Sequence, residues 1–171
     1  GSADSGVAKL TDFEVSLSRL PELVDGLEGS DQADLIYGTA GPDNMYGYDG
    51  NDTLRGLAGD DIIEGGLGDD KLVGGLGNDS ISGGAGDDYI LAQTGNDTIT
   101  TGAGNDIVFG GLGNDTITID GVGDKVIDGG TGTNTLTISH GGISSLSDFT
   151  LGAVSRSSNS TWTLTAEDGT T

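Results

Sequence analysis

The stretch that decides the fold runs from Gly65 to Ser82 and reads GGLGDDKLV followed by GGLGNDSIS. Both nine-residue units begin with glycines, carry an aspartate at position six and have an aliphatic residue at position eight. The aspartate recurs every nine residues at Asp34, Asp43, Asp52, Asp61, Asp70, Asp79, Asp88, Asp97, Asp106, Asp115 and Asp124. A repeat of constant short length predicts one small structural unit that is stacked many times.

An apolar side chain lies two residues after each aspartate, and these residues form the predicted core. They are Ile36, Met45, Leu54, Ile63, Leu72, Ile81, Ile90, Ile99, Val108, Ile117 and Val126. The first six positions of the unit favour a turn because glycine permits positive φ, and the last three fit a short strand with one inward residue. Two units bring the chain round once, so odd and even units form separate parallel sheets. We therefore predict an all-β parallel β-roll.

The composition predicts that this roll needs a counter-charge. Glycine makes up 34 of the 171 residues, aromatic residues are 5%, and the net charge is -22. Each unit buries about one aliphatic side chain, which does not offset the entropy lost when nine residues are ordered. Stacked aspartates add repulsion. A hard divalent cation suits a cage of carboxylates and carbonyls, and Ca²⁺ tolerates variable geometry better than Mg²⁺.

Units such as GGLGNDSIS and GGAGDDYIL resemble the calcium-binding nonapeptide of the RTX, or hemolysin-type, family. The resemblance covers residues 29–137 and implies a right-handed parallel β-roll with each Ca²⁺ between loops n and n+2. The implied ligands are the carboxylates of Asp43, Asp52, Asp61, Asp70, Asp79, Asp88, Asp97, Asp106 and Asp115, and carbonyls near Gly50, Gly59, Gly68, Gly77, Gly86, Gly95, Gly104 and Gly113. The loop pairs imply roughly six to nine ions.

Three regions are expected along the chain. Residues 1–28 lack the repeat and form an N-terminal cap, in which Gly1-Ser2 is typical of an expression scar. Residues 29–137 form the roll. Residues 138–171 are rich in Ser and Thr, and the alternation around Leu151 and Trp162 predicts a β-hairpin cap that ends inside a longer protein.

The loops at both ends depart from the repeat, so we expect weak or absent calcium binding there. The first loop, 29–34, lacks the inner glycines, and the loop 119–124 has Val122 where the fourth-position glycine belongs. A twelfth unit, 129–137, follows a one-residue slip and carries Asn134 in place of the aspartate.

Several functional classes are disfavoured. The chain has no cysteine, no apolar run approaching the roughly 18 residues of a membrane span, and an acidity that argues against nucleic acid as a partner. Adjacent carboxylates such as Asp60-Asp61 have Asn in equivalent units, which indicates loop geometry rather than catalysis. The single histidine, His140, has no obvious catalytic partner. We therefore predict that the chain is not an enzyme.

The outward strand positions differ between the two predicted sheets. Even units present Ser80/Ser82, Thr98/Thr100 and Thr116/Thr118, a hydroxyl ladder that resembles the ice-binding face of some solenoid proteins but also suits a solvated strand. Odd units present Val73, Tyr89, Leu91, Ile107, Phe109 and Ile127. This face is too apolar for water, so we expect residues 138–171 or an adjoining domain to cover it.

These features favour a calcium-binding roll from a secreted bacterial RTX protein of adhesin or toxin type, outside the cell or at its surface. Binding restricted to the folded state would couple folding to extracellular Ca²⁺. The resemblance adds passage through type I secretion machinery as an unfolded chain, and adjoining domains as partners. The alternative is a ligand-recognition module for polysaccharide or ice.

Overall fold

The structure is a computed structural model that describes the backbone of residues 15–16, 26–139, 151–152 and 160–166, and the side chains of residues 26–139. These residues form strands and turns, without a helix among them. In chain order the strands are β1 (Val15–Ser16), β2 (Leu27–Glu28), β3 (Leu35–Tyr37), β4 (Asn44–Asp49), β5 (Thr53–Ala58), β6 (Ile62–Leu67), β7 (Lys71–Leu76), β8 (Ser80–Ala85), β9 (Tyr89–Thr94), β10 (Thr98–Ala103), β11 (Asp106–Leu112), β12 (Thr116–Ile119), β13 (Lys125–Asp128), β14 (Gly132–Ile138), β15 (Leu151–Gly152) and β16 (Ser160–Ala166).

The strands form two sheets of eight, and every strand pair is parallel. One sheet has the order β1-β3-β5-β7-β9-β11-β13-β15 and the other β16-β14-β12-β10-β8-β6-β4-β2. Neighbours within a sheet are eighteen residues apart over most of the chain, as in Thr53↔Lys71 and Ser80↔Thr98. The predicted all-β parallel roll, with odd and even units in separate sheets, is confirmed.

The core lies between the two sheets and is formed mainly by one side chain from each unit, with Ala92 and Ile119 in addition. The predicted inward residues from Ile36 to Ile117 are all buried. Flanking strand residues alternate with them and point outward, because successive side chains in a strand point to opposite faces. Because each aspartate precedes its core residue by two positions, the aspartates of successive coils occupy equivalent places in their loops.

The register changes in the loop after β12. Strand β11 pairs with β13 so that Asp106 lies opposite Lys125, an offset of nineteen residues. The extra residue is accommodated near Asp120, whose Oδ1 accepts the backbone N–H of Gly102 at 2.8 Å. Consequently Gly123, not Val122, stacks on the position-four Gly104. The slip therefore precedes Asp124, earlier than the sequence predicted.

The slip reverses the expected orientation of two side chains. Ile127 is buried, whereas Val126 is 40% exposed. The predictions that Val126 packs inward and that Ile127 faces outward were therefore wrong. Although Asp124 keeps the nine-residue spacing, it does not occupy position six. Its backbone N–H donates to Oδ1 of Asn105, a position-five residue, at 3.0 Å, which places Asp124 at position five. Lys125 thus takes position six.

The described strands of the C-terminal segment differ from the predicted hairpin. Strand β15 pairs in parallel with β13, and β16 pairs in parallel with β14, so the two strands lie in different sheets and extend the roll. An alternating pattern identifies a strand but not its direction, since the period of two is the same for parallel and antiparallel pairing. At the other end β1 pairs with β3 and β2 with β4. The three region boundaries remain predictions, and His140 lies outside the described residues.

On the outward face of the sheet formed by the odd units, the apolar side chains partly cover one another. Tyr89 and Ile107 are each 38% exposed, while Leu91 and Phe109 are half-buried. The rings of Tyr89 and Phe109 lie 5.8 Å apart, and the Lys71 ammonium lies 5.8 Å from the centre of the Tyr89 ring. The predicted cover by residues 138–171 falls largely outside the described residues and stays a prediction.

Candidate metal centre

The position-six aspartates form two columns, one beside each edge of the roll, and from Asp52 to Asp115 one carboxylate oxygen of each is occupied in the same way. Oδ1 accepts the backbone N–H of the aspartate one coil earlier. These hydrogen bonds join Asp34 to Asp52 (2.8 Å), Asp43 to Asp61 (2.9 Å), Asp52 to Asp70 (2.8 Å), Asp61 to Asp79 (3.0 Å), Asp70 to Asp88 (3.0 Å), Asp79 to Asp97 (2.8 Å), Asp88 to Asp106 (3.0 Å) and Asp97 to Asp115 (3.0 Å). The bonds fix each carboxylate in orientation.

The second carboxylate oxygen is the unusual one. Oδ2 is buried and has no hydrogen-bond partner in seven aspartates of the middle loops: Asp52, Asp61, Asp70, Asp79, Asp88, Asp97 and Asp115. A buried unpaired carboxylate oxygen is costly, and such groups in proteins are paired or bound to a metal ion. Seven repeats of the same unpaired atom indicate a missing partner of positive charge.

Glycines create the space around these oxygens. A Cβ added at the position-one Gly47 would overlap Oδ2 of Asp52 and the carbonyl oxygen of Gly65 in the next coil. At position four, a Cβ on Gly68 would overlap the carbonyl of Gly50. The φ of Gly68 is +124°, which L side chains rarely adopt. The glycines therefore keep carbonyl and carboxylate oxygens close together between stacked loops.

Burial makes ionisation of these carboxylates unfavourable in the absence of a cation. Desolvation raises the pKa of Asp52, Asp61, Asp70 and Asp97 to about 6 and that of Asp88 to about 7. It also raises the pKa of Asp79 and Asp115. The backbone hydrogen bonds to Oδ1 lower these pKa values and so oppose the effect of desolvation. For most of these aspartates, neighbouring carboxylates raise the pKa further. A bound cation would remove the penalty.

The position-five residues form a separate, exposed ladder. Oδ1 of each accepts the backbone N–H of the position-five residue in the next coil, as from Asn78 to Asp60 (2.7 Å) and from Asn96 to Asn78 (2.8 Å). Either Asn or Asp supplies this acceptor, which explains why the two alternate at this position. The ladder supports the interpretation of Asp60-Asp61 and similar pairs as loop geometry.

The two N-terminal loops each provide partners for Oδ2 of their own aspartate. Oδ2 of Asp34 accepts the backbone N–H (2.6 Å) and the hydroxyl (2.9 Å) of Ser30. Oδ2 of Asp43 accepts the backbone N–H (2.6 Å) and the hydroxyl (3.0 Å) of Thr39. Ser and Thr stand at position two, where most later loops have glycine. Asp43, a predicted ligand, therefore has its Oδ2 occupied by the protein.

At the C-terminal end of one column a lysine supplies a positive charge to the aspartate. The Lys125 ammonium donates to Oδ2 of Asp106 at 2.6 Å and to the carbonyls of Gly104 at 2.6 Å and Gly102 at 2.9 Å. Both charged side chains are buried. A positive group therefore does bind the carboxylate and the position-two and position-four carbonyls of one loop.

At the end of the other column the amide of Asn134 stands in the aspartate position. Its Oδ1 accepts the backbone N–H of Asp115 at 2.8 Å, as an aspartate would. Its Nδ2 donates to the carbonyl of Gly129 at 2.9 Å. The Nδ2 group of Asn134 thus takes the place of Oδ2 in the equivalent aspartates, and its hydrogen bond is made within its own loop.

The arrangement fits calcium in its donor types. Buried unpaired Oδ2 atoms, glycine-lined spaces and a lysine ammonium held by the same oxygens all fit a hard cation with oxygen ligands. Among residues 26–139 no three His, Cys, Asp or Glu side chains gather into one metal-binding group. Around the Lys125 ammonium, two of the three nearest oxygens are backbone carbonyls.

The predicted ligands fall into distinct groups, and their binding of calcium stays a prediction. The seven aspartates with an unpaired Oδ2 share one geometry, whereas Asp43 and Asp106 are held by Thr39 and Lys125. The sequence reasoning missed Lys125, the position-two carbonyls and the hydroxyls of Ser30 and Thr39. The one-residue change of spacing before Gly129 was the only signal of the lysine.

Comparison with known proteins agrees with the geometry. The family model described as the RTX calcium-binding nonapeptide repeat (4 copies) matches residues 28–63, 46–81, 64–96 and 82–117, together more than half of the chain. No curated protein matches the chain significantly. No described segment is a helix long and apolar enough to cross a membrane. The repeat length, the stacked parallel sheets and the matched residues together show that the chain belongs to the RTX calcium-binding nonapeptide-repeat family, a structural calcium-binding module.

Proposed function

We propose that this chain is a folding module of a larger secreted bacterial RTX protein, and that extracellular Ca²⁺ drives its folding. The observation that supports it most is the set of seven buried Oδ2 atoms without a partner. In the absence of a cation the folded roll has to hold these carboxylates desolvated and close together. In its presence the same carboxylates become ligands, and the unfavourable term becomes a favourable one.

The proposed ions lie between loops of one column that are two units apart. One loop supplies Oδ2 and the position-two and position-four carbonyls, by analogy with the oxygens around Lys125. Six loop pairs have an unpaired Oδ2 below and an aspartate above. These pairs are Asp52/Asp70, Asp61/Asp79, Asp70/Asp88, Asp79/Asp97, Asp88/Asp106 and Asp97/Asp115. We expect roughly six well-formed sites and a weaker seventh between Asp115 and Asn134.

Linkage between binding and folding gives the module its biological use. An ion that binds only the folded state stabilises that state by mass action. The cytosol holds little free Ca²⁺, so the repeats stay unfolded there, which suits passage through type I secretion machinery. Outside the cell Ca²⁺ is abundant and the roll folds. The parent protein that we propose is an adhesin or a toxin, with the roll joined to adjoining domains.

Circular dichroism with a calcium titration tests this proposal. The protein is treated with EDTA at pH 7.5, dialysed and titrated with Ca²⁺, with Mg²⁺ in a parallel titration. We expect little β signal without metal, a cooperative gain with Ca²⁺ and a much smaller gain with Mg²⁺, because Mg²⁺ demands a near-octahedral site and releases water reluctantly. A full β signal in excess EDTA would refute calcium-driven folding.

A second candidate function, recognition of polysaccharide or ice, is supported by the hydroxyl ladder. The register places Thr98 and Thr100 beside Ser80 and Ser82, then beside Thr116 and Thr118. It continues to Thr135 and Thr137 in β14. Among the described side chains the ladder is therefore four strands long, longer than the three that the sequence predicted, and forms a regular array on one sheet.

Ice-affinity partitioning and a glycan array test the second candidate. In Thr116→Tyr, a bulky ring would interrupt the array at an exposed position. If the face binds a regular surface, binding should be present in the parent chain and lost in this variant, with an unchanged β signal in Ca²⁺. No retention of the parent chain on ice or on any glycan would remove this candidate.

A further inference from the structure

Lys125 is a buried lysine whose ammonium lies among the oxygens of one loop. Oδ2 of Asp106 and the carbonyls of Gly104 and Gly102 lie within 2.9 Å of it. An ammonium has three N–H donors, which these three acceptors match, and the Val122 carbonyl lies farther away at 3.5 Å. We propose that this ammonium is a built-in replacement for one calcium ion and for the aspartate that would share it, so that this loop pair is closed without metal. The inference rests on the proposed calcium sites of the other loops.

The register explains how a lysine reaches this position. The column runs Asp34, Asp52, Asp70, Asp88 and Asp106, each one coil apart, and the next residue in the column is Lys125. The extra residue near Asp120 shifts Asp124 to position five and brings Lys125 to position six. Without that insertion Asp124 would have continued the column as a carboxylate.

The replacement conserves charge. A carboxylate and a divalent cation together carry one net positive charge, and an ammonium group carries the same charge. Asp106 therefore faces the same net charge from Lys125 as it would from an aspartate with its calcium ion. A neutral side chain at this position would leave Oδ2 of Asp106 buried without a partner, in the situation of Asp88 in the same column without metal.

The charge balance separates this loop pair from the others in the same column. Asp88 and Asp106 are one coil apart, and Oδ2 of Asp88 has no partner, so that pair depends on an added cation. In the next pair, Asp106 and Lys125, the cation is the ammonium group of the Lys125 side chain itself. A metal-free region of defined geometry then exists at this end of the column, against which the neighbouring calcium-bound coil packs.

Ion counting in Lys125→Asp tests the replacement. Native mass spectrometry of the parent chain and of the variant is carried out in the same Ca²⁺ buffer, with Lys71→Asp, an exposed lysine of β7, as the control. We expect Lys125→Asp to bind one ion more than the parent and Lys71→Asp to bind the same number. An unchanged ion count in a folded Lys125→Asp protein would overturn the proposal.

Lys125→Met provides the second readout, because methionine keeps much of the length but has no charge. We expect no additional ion and a clear loss of thermal stability in saturating Ca²⁺, while Lys71→Met is close to the parent. Equal stability of the parent and Lys125→Met would overturn the proposal. If the parent chain bound no calcium at all, the proposed function would fail, and the stability comparison would still decide whether the ammonium closes this loop pair.

Discussion

The middle loops of the roll and its end loops use the same aspartate in opposite ways. In the middle, from Asp52 to Asp97, Oδ2 is buried without a partner. At the ends the protein supplies the partner: the hydroxyls of Ser30 and Thr39 at one end, and the Lys125 ammonium at the other. The period alone therefore does not define a metal site. The site also requires that the chain leave Oδ2 unpaired.

The difference follows from what each loop has on either side. A middle loop has a coil above and below, so an ion between coils would be shared and its binding would reinforce the stack. An end loop borders chain that lacks the nonapeptide repeat, where an ion would have only part of its ligands, so a hydroxyl or a lysine supplies the partner instead. We infer that ions hold the middle of the roll and side chains close its ends.

The largest effect is expected from a glycine substitution, because position four is crowded in the middle loops and open in the N-terminal loop 38–43. Gly77 has φ +133°, and a Cβ there would overlap the carbonyl of Gly59. A Cβ on Gly41, also at position four, meets only Thr39 Oγ1 at 3.9 Å. In saturating Ca²⁺, Gly77→Ala should lower the free energy of unfolding by about 4 kcal/mol or more, and Gly41→Ala by about 0.5 kcal/mol or less. Urea denaturation measures both, and similar losses in the two variants would contradict the difference between middle and end.

The next largest effect is expected from aspartate substitutions, which should differ between a middle loop and an end loop. Asp79 belongs to two proposed loop pairs, with Asp61 and with Asp97, whereas Oδ2 of Asp43 is held by Thr39. Asp79→Asn should reduce the ion count by two and the calcium affinity of folding by roughly 10- to 100-fold. Asp43→Asn should leave the count unchanged. Isothermal titration calorimetry gives both quantities, and the loss of an ion in Asp43→Asn would place a site in the end loop.

A smaller effect is expected from pH in the metal-free protein. The pKa of Asp52, Asp61, Asp70 and Asp97 in the fold is about 6 and that of Asp88 about 7, against 3.8 for an ordinary aspartate. The folded state therefore binds more protons than the unfolded state between about pH 4 and pH 7. Stability from protonation is complete below pH 4 and is lost as the pH rises through 6 to 7.

Circular dichroism in EDTA at pH 5.0 and pH 7.5 measures this dependence. We expect more β signal at pH 5.0, and sedimentation velocity controls for association near the isoelectric point of about 4.1. With saturating Ca²⁺ the order should disappear or reverse, because protons and calcium compete for the same oxygens. A lower β signal at pH 5.0 than at pH 7.5 in the monomeric metal-free protein would contradict the buried carboxylates of the middle loops.

The smallest effect is expected from the exposed position-five ladder. Oδ1 of Asn78 accepts the backbone N–H of Asn96 at 2.8 Å. Asn78→Ala removes that acceptor and should cost about 1 kcal/mol of unfolding free energy in Ca²⁺, with no change in ion count. Asn78→Asp keeps the acceptor but loses the donation from Nδ2 to Asp60 at 3.3 Å, and should retain more stability than Asn78→Ala. A loss of calcium in Asn78→Ala would mean that the ladder also takes part in coordination.

Much of the architecture could be predicted from the sequence because it is local and periodic. The spacing of Asp70 and Leu72 determines which side chain enters the core and where the loop stands, and the same rule holds in every middle unit. The separation of odd and even units into two sheets follows from the length of one coil. The sequence also predicts repulsion between stacked aspartates. It does not predict that one particular oxygen, Oδ2, is buried and unpaired in seven of them.

What could not be predicted depends on contacts between distant residues. The sequence around Asp124 fits two alignments, and the choice is decided by burial of Ile127 and by the contact of Lys125 with Asp106 across nineteen residues. The direction of β15 and β16 was equally open, because alternation does not encode it. The roles of the Ser30 and Thr39 hydroxyls were not predicted, because they depend on where Oδ2 lies in the folded loop.

The most direct test of the central claim is a count of bound calcium ions in the intact chain by native mass spectrometry, with the concentration of free Ca²⁺ varied. Middle loops that need ions and end loops that do not predict a plateau at roughly six ions, followed by a weaker seventh. A plateau at nine would show that the end loops bind as well. A folded roll with no bound ion would contradict the account altogether.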